Sequence, residues 1–249
     1  FIHNDTQTLT LISSIFGSLA TAPLYLFTRK VFNENVAKVS SLIFILTPVE
    51  WVLSEIAITN IPGLFFLILL LYLTLRLHNQ KYSGVLIGLY SGAILGLRFT
   101  DFPIVLSILL FLIIRQKDMR YLINLSISFV AGLALWLMPL LQITGISQFF
   151  TATKSSASYV VRHDTLYGMQ LPIENIIPFR LKDLWYLLNI SYTKTLLLIF
   201  IISLYFIIKD QRLWKNLGFQ ILAVWFSVYF ICLIFLYNLE LAQYTLPLL

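Results

Sequence analysis

Charge is scarce in this chain. Of its 249 residues 11% are Asp, Glu, Lys or Arg and 59% are apolar, and the mean hydropathy is +0.88. Soluble domains draw about a quarter of their residues from the charged set, so a soluble globular protein is excluded. There is one cysteine, Cys232, inside an apolar run, which rules out an intrachain disulfide and leaves a packing role. The three histidines, His3, His78 and His163, fall in separate connections, which argues against a histidine metal cluster. A divalent ion held by carboxylates stays compatible with the sequence, and no other cofactor is implied. The chain opens without a basic segment and cleavage signature, so no signal peptide is visible. A start at Phe1 without Met, directly before a span, makes upstream sequence expected.

Apolar runs approaching the roughly 20 residues needed to cross a bilayer are what the sequence has in abundance. Their lengths, and the charged or Pro/Gly interruptions between them, predict an all-α polytopic transmembrane bundle of about eight spans: Thr8 to Thr28, Val36 to Leu53, Ile61 to Leu77, Ser83 to Leu97, Phe102 to Ile114, Tyr121 to Thr144, Thr195 to Ile208 and Leu217 to Tyr237. The fourth and fifth are short enough for tilted or half-inserted helices. Residues 1–249 read as a single transmembrane domain, with 146–194 as one long extracytoplasmic loop carrying short helices. Within that loop IPFRLKDLWYLL sets Leu181, Leu184, Trp185 and Leu188 at helical spacing opposite Arg180, Lys182 and Asp183. Two readings stand for it, an amphipathic helix on the membrane surface or a lead-in to the next span.

The sparse charge is distributed unevenly. If the chain begins outside, the inner connections hold Arg29, Lys30, Lys38, Arg76, Lys81, Arg115, Lys117, Arg120, Lys209, Arg212 and Lys215, eleven of the seventeen basic residues. The outer face holds six: Arg98, Lys154, Arg162, Arg180, Lys182 and Lys194. Eight of the eleven carboxylates, Glu55 and Asp101 among them, lie outside. This is the bias that orients membrane proteins, so the net charge of +6 reports topology and an anionic inner leaflet and gives no nucleic-acid signal.

Two polar junctions on the outer side stand out, SEIAITNIP (Ser54 to Pro62) and GLRFTDFP (Gly96 to Pro103). Charge at a membrane boundary is costly and marks candidate working sites. Arg98 and Asp101 lie three residues apart just before Pro103, and proline disfavours helical geometry at Phe102, predicting a break near Asp101 and Phe102. A guanidinium beside an acid there reads equally well as a phosphate-binding fork or as a self-compensating interfacial ion pair. Upstream of it Gly84, Gly88, Gly92 and Gly96 recur every fourth residue, a small-residue stripe that favours close helix packing over ligand contact.

The order of PLYLFTRKVFN, AKVSSLIFILTPVEWVLSEIAITNIPGLFFLILLLYLTLR, a Gly-rich span ending GLRFTDFP, a long outer loop and AQYTLPLL resembles the GT-C class of polytopic glycosyltransferases. It is most similar to the branch of protein mannosyltransferases and aminoarabinose transferases, a resemblance that implies an N-terminal part of that module upstream of Phe1. The resemblance implies transfer of a hexosyl or pentosyl group, with inversion, from a polyprenyl-phosphate donor to a lipid, protein or glycan acceptor at the extracytoplasmic face. A prokaryotic plasma membrane is favoured over endoplasmic reticulum. It also implies an acidic general base in a first outer loop that would lie upstream of Phe1. The family often has an acid where this chain has Asn60, and Arg or His where it has Gln243.

Such chemistry needs a carboxylate to take the acceptor proton and cations to hold the departing phosphate. Glu55 and Asp101 are the candidate catalytic acids, and Arg98, Arg162, Arg180 and Lys182 the candidate phosphate ligands. Two other classes stay open: a transporter or flippase of lipid-linked sugars, for which Pro48, Pro62, Pro103 and Pro139 offer helix breaks, and a noncatalytic subunit, which Asn60 and Gln243 would suit.

Overall fold

The computed structural model describes residues 5–47, 51, 52, 54, 60–78, 80–116, 118–163, 178, 182, 185, 202 and 209–235. The described residues form eight α-helices and no strand: α1 Asp5–Val31, α2 Glu34–Leu46, α3 Asn60–Leu77, α4 Ser83–Ile94, α5 Phe102–Gln116, α6 Met119–Thr144, α7 Ile146–His163 and α8 Leu217–Phe235. The protein is an all-α, polytopic membrane bundle. Four stretches are long and apolar enough to span a bilayer, Gln7–Val31, Asn60–Leu77, Phe99–Gln116 and Met119–Thr144, and two shorter apolar stretches lie at Ser83–Ile94 and Leu217–Cys232. The predicted span Thr195 to Ile208 falls outside the described residues except for Ile202.

Helix boundaries follow local chemistry. The α2 helix starts where the Asn33 side chain accepts the Val36 N–H, with Glu34 in the first turn. It stops at Leu46, short of the predicted Leu53, because Thr47 precedes a proline: its φ of −73° and ψ of 121° are the extended geometry that a following proline imposes. Asp118 caps α6 by accepting the Arg120 N–H at 2.9 Å. That helix ends at Gly145, whose φ of 77° and ψ of 146° lie in a region essentially reserved for glycine. The chain then re-enters a helix at once. The first third of the predicted outer loop is therefore one regular 18-residue amphipathic helix, α7, in place of short helical pieces.

Packing centres on α3, most of whose residues are buried. It lies against α1 and α4, α4 lies against α6, and α8 packs on α5. One apolar cluster joins Phe27, Leu67, Leu71, Ile87, Ile104, Ile108 and Tyr229, and a smaller one joins Ala20, Phe44, Ile61, Leu64 and Ile68 at the beginning of α3. In contrast, α6 leaves Ile127, Leu135, Met138 and Ile143 open, the last 85% exposed, as a lipid-facing helix should. The predicted glycine stripe is the α4–α6 seam. A Cβ on Gly92 would lie 2.2 Å from the Phe129 carbonyl oxygen, and one on Gly132 would lie 2.3 Å from that of Leu89. The two backbones touch, and no ligand fits between them. Trp136 closes the seam by donating its indole N–H to Gly92 O at 3.1 Å.

The junctions after α1, α3 and α5, with their flanking helix turns, hold eight of the seventeen basic residues, and the structure brings these helix ends together at one end of the bundle. Lys30 Nζ donates to Leu75 O at 2.7 Å, Gln116 Nε2 lies 3.0 Å from His78 Nδ1, Asn216 Nδ2 donates to Val31 O at 3.0 Å, and Arg115 donates to Gln220 Oε1. Arg98, Asp101 and the start of α3 lie at the opposite end.

Candidate functional site

The chain leaves α4 at Ile94 and passes into an extended Arg98, with φ −151° and ψ 95°. A 3₁₀ turn over Phe99–Asp101 follows, closed by the Asp101 N–H donating to Arg98 O at 3.2 Å. The break thus comes earlier than the sequence suggests. Phe102 is helical, and Pro103 occupies the opening of α5, where a missing N–H leaves no bond unmade.

This turn folds the Arg98 side chain back over Asp101. Nε lies 3.6 Å from Asp101 Oδ1 and donates to Thr100 Oγ1 at 3.0 Å, and both charged side chains are buried, at 8% and 7% exposure. Ions of this kind tolerate burial only when they are paired and hydrogen-bonded. The pair rests against α3. A Cβ on Gly63 would stand 3.3 Å from Arg98 Cδ and 3.5 Å from Asp101 Oδ2, so the bare glycine makes the room the pair occupies. The carboxylate therefore faces the first turn of α3, the end of the helix dipole that favours negative charge. Asn60, one turn before Gly63, is buried as well.

On the other side of that first turn, Ile61 and Leu64 pack into the Phe44 cluster. Beyond lies a cavity of about 270 Å³, lined by Ser14, Gly17, Ser18 and Thr21 on one stripe of α1, with Phe44, Ile45, Trp51 and Ser54. Ser14 Oγ donates to Ser54 O and Ser18 Oγ to Ser14 O, both at 3.0 Å. The stripe was legible in the sequence as small residues at positions 14, 17, 18 and 21, but spacing alone says nothing of what faces it. Thr100 and Gly63 went unnoticed for the same reason: an unremarkable threonine and glycine acquire a role only through Arg98.

Of the residues read from the sequence, the structure brings Arg98 and Asp101 together. Arg162 falls in the last turn of α7, and Lys182 is exposed in a helical position. Glu55 and Arg180 lie outside the described residues, as does most of the predicted amphipathic segment around Leu184. Among the described residues no group of three His, Cys, Asp or Glu side chains is arranged to hold a metal ion.

Residues 1–143 match the model of the dolichyl-phosphate-mannose-protein mannosyltransferase family. No curated protein and no solved structure matches the chain.

Proposed function

This chain belongs to the dolichyl-phosphate-mannose-protein mannosyltransferase family, a membrane-embedded glycosyltransferase of the mannosyltransferase type, and we propose that it transfers a sugar from a polyprenyl-phosphate donor at the extracytoplasmic end of the bundle. The observation that carries this reading is the family match itself, which spans the residues holding the Arg98 and Asp101 pair. Arg98 is the donor-phosphate ligand, and Thr100 and Asp101 position it. A buried guanidinium concentrates its charge where water cannot screen it, which suits a leaving phosphate whose charge grows during transfer.

Because Asp101 is committed to its arginine, the better proton acceptor is Glu55, which the sequence puts in the junction leading into α3. Arg162, Arg180 and Lys182 would complete the phosphate surface from the 146–194 segment. The Arg98 end is the outer end, since the opposite end gathers the basic connections that stay cytoplasmic. The acceptor is a lipid, protein or glycan hydroxyl. A divalent ion is compatible with this scheme, and no step depends on it.

Arg98→Lys tests the proposal with charge retained and the planar fork removed. Membranes holding the full chain should lose at least about tenfold of sugar transfer from a polyprenyl-phosphate donor, the equivalent of about 1.4 kcal/mol in the barrier. Transfer at the unchanged rate would remove Arg98 from the site, and no transfer by the parent chain with any such donor would overturn the reaction. An unchanged melting temperature of the variant must accompany the result, so that folding failure is not read as chemistry.

A further inference from the structure

The end of the bundle away from Arg98 gathers the C-termini of α1, α3 and α5 around the beginning of α8. The Lys30 bond to Leu75 O, the His78 contact with Gln116 and the Arg115 bond to Gln220 place Lys30, Arg76 and Arg115 about one junction. Gly218 allows α8 to close on it, since a Cβ there would meet Val31 Cγ2 at 2.5 Å and Leu75 Cδ1 at 2.8 Å.

The described carboxylates at this end are engaged elsewhere. Glu34 pairs with Lys38 at 2.7 Å, Asp118 accepts the Arg120 N–H at 2.9 Å, and Asp210 accepts the Arg212 N–H at 2.9 Å. Among the described residues no carboxylate lies within ion-pair distance of Lys30, Arg76 or Arg115. The converging helix ends offset only part of the charge, as each C-terminus supplies roughly half a negative charge against three full cations. His78 does not compensate either. Burial, and then the neighbouring Arg115 and Lys30 charges, hold its imidazole below the usual histidine range, so it is neutral at physiological pH.

We propose that this junction binds the phosphate of an anionic phospholipid headgroup, held by Lys30, Arg76 and Arg115 in the leaflet opposite the Arg98 end. Charge complementarity supplies the anion, and the surrounding aromatics supply the depth. Arg29 lies 5.5 Å over the Tyr25 ring, Lys81 lies 5.6 Å over Tyr82, and Trp214 stands edge-on to Phe219. Tyrosine and tryptophan of this kind mark the headgroup level of a bilayer. A lipid phosphate there is anchored by its acyl chains beside the apolar helices, which a soluble phosphate is not. The site is independent of the transfer reaction.

The test is native mass spectrometry of the full chain in micelles with equal phosphatidylglycerol and phosphatidylcholine, next to the same chain bearing Arg76→Gln, Arg115→Gln or the opposite-end control Lys154→Gln. The parent should retain phosphatidylglycerol in preference. Each junction variant should lower that preference about fivefold, the size of one Lys or Arg contact with an anionic membrane surface, and Lys154→Gln should leave it intact. Equal retention of the two lipids, or a preference untouched by both junction variants, overturns the proposal. Displacement of phosphatidylglycerol by inorganic phosphate at matched concentration overturns it in favour of a soluble anion. Should the variants fail to fold, the parent alone decides: its preference must decline as ionic strength rises, and a salt-independent preference rejects the site.

Discussion

A residue's burial sets what its substitution reports. Arg98 and Asp101 form a closed pair, so Arg98→Ala strands a buried carboxylate and should destabilise the chain by about 3–5 kcal/mol. Adding Asp101→Asn to Arg98→Ala should recover part of that loss in thermal unfolding in detergent, and a strictly additive double variant would show that the pair does not couple. Gly63→Ala crowds the same pair at 3.3 Å and should weaken transfer more than stability. His78 gives a pH signature. Its pKa is lowered on folding, so between the folded value and the ordinary one near 6.5 the unfolded chain binds the extra proton. The stability due to neutral His78 is present above about pH 6.5 and declines as pH falls through that window. Thermal unfolding of His78→Gln should lack this share of the acid sensitivity, and identical pH profiles would refute it.

Among the elements, the α4–α6 seam separates glycines that look alike in sequence. Gly92→Ala and Gly132→Ala drive a methyl into the opposing backbone and should each cost about 1–3 kcal/mol or more, whereas at Gly84 the nearest atoms, 3.2 Å away, include the Tyr121 ring, which can give. Melting temperatures should therefore rank Gly84→Ala above the other two, and three equal values would remove the seam as a close contact. The fourfold glycine spacing announced this packing role correctly. It did not announce Gly132, which stands alone in its helix and acquires its meaning from the partner. The early stop of α2 was legible at Pro48, since the residue before a proline leaves the helical basin. The break before α5 was legible at Pro103 only to within a few residues, since the extended residue is Arg98, whose side chain lies against Gly63 of another helix.

For the molecule as a whole, the separation of charge between the two ends makes orientation testable. In a Cys232→Ser background, Lys154→Cys on α7 should react with an impermeant thiol reagent added to intact cells, and Tyr82→Cys between α3 and α4 should react only after permeabilisation. The reverse pattern would put the Arg98 end in the cytoplasm and end the proposed scheme. Asn60→Asp bears on the whole enzyme too: Asn60 is buried at the opening of α3, one turn from the glycine under Arg98, at a position where the sequence resemblance leads one to expect an acid. A gain in transfer on restoring that acid would identify the position as rate-limiting, and no gain would leave Glu55 as the working carboxylate.

By itself the sequence determined the membrane environment, the helical class, most boundaries of the described helices and the gathering of basic residues at one end. These depend on run length, capping chemistry and the energetic cost of charge in lipid, all of which are local and additive along the chain. Only the tertiary structure decided that the Arg98–Asp101 pair is buried against Gly63, that Gly92 and Gly132 are the glycines allowing close backbone approach, and that Lys30, Arg76 and Arg115 meet at one junction. Those outcomes depend on which helix faces which across distances in sequence of 30 to 90 residues. In an apolar chain, where nearly every face is greasy enough to meet any other, shape complementarity between backbones makes that choice.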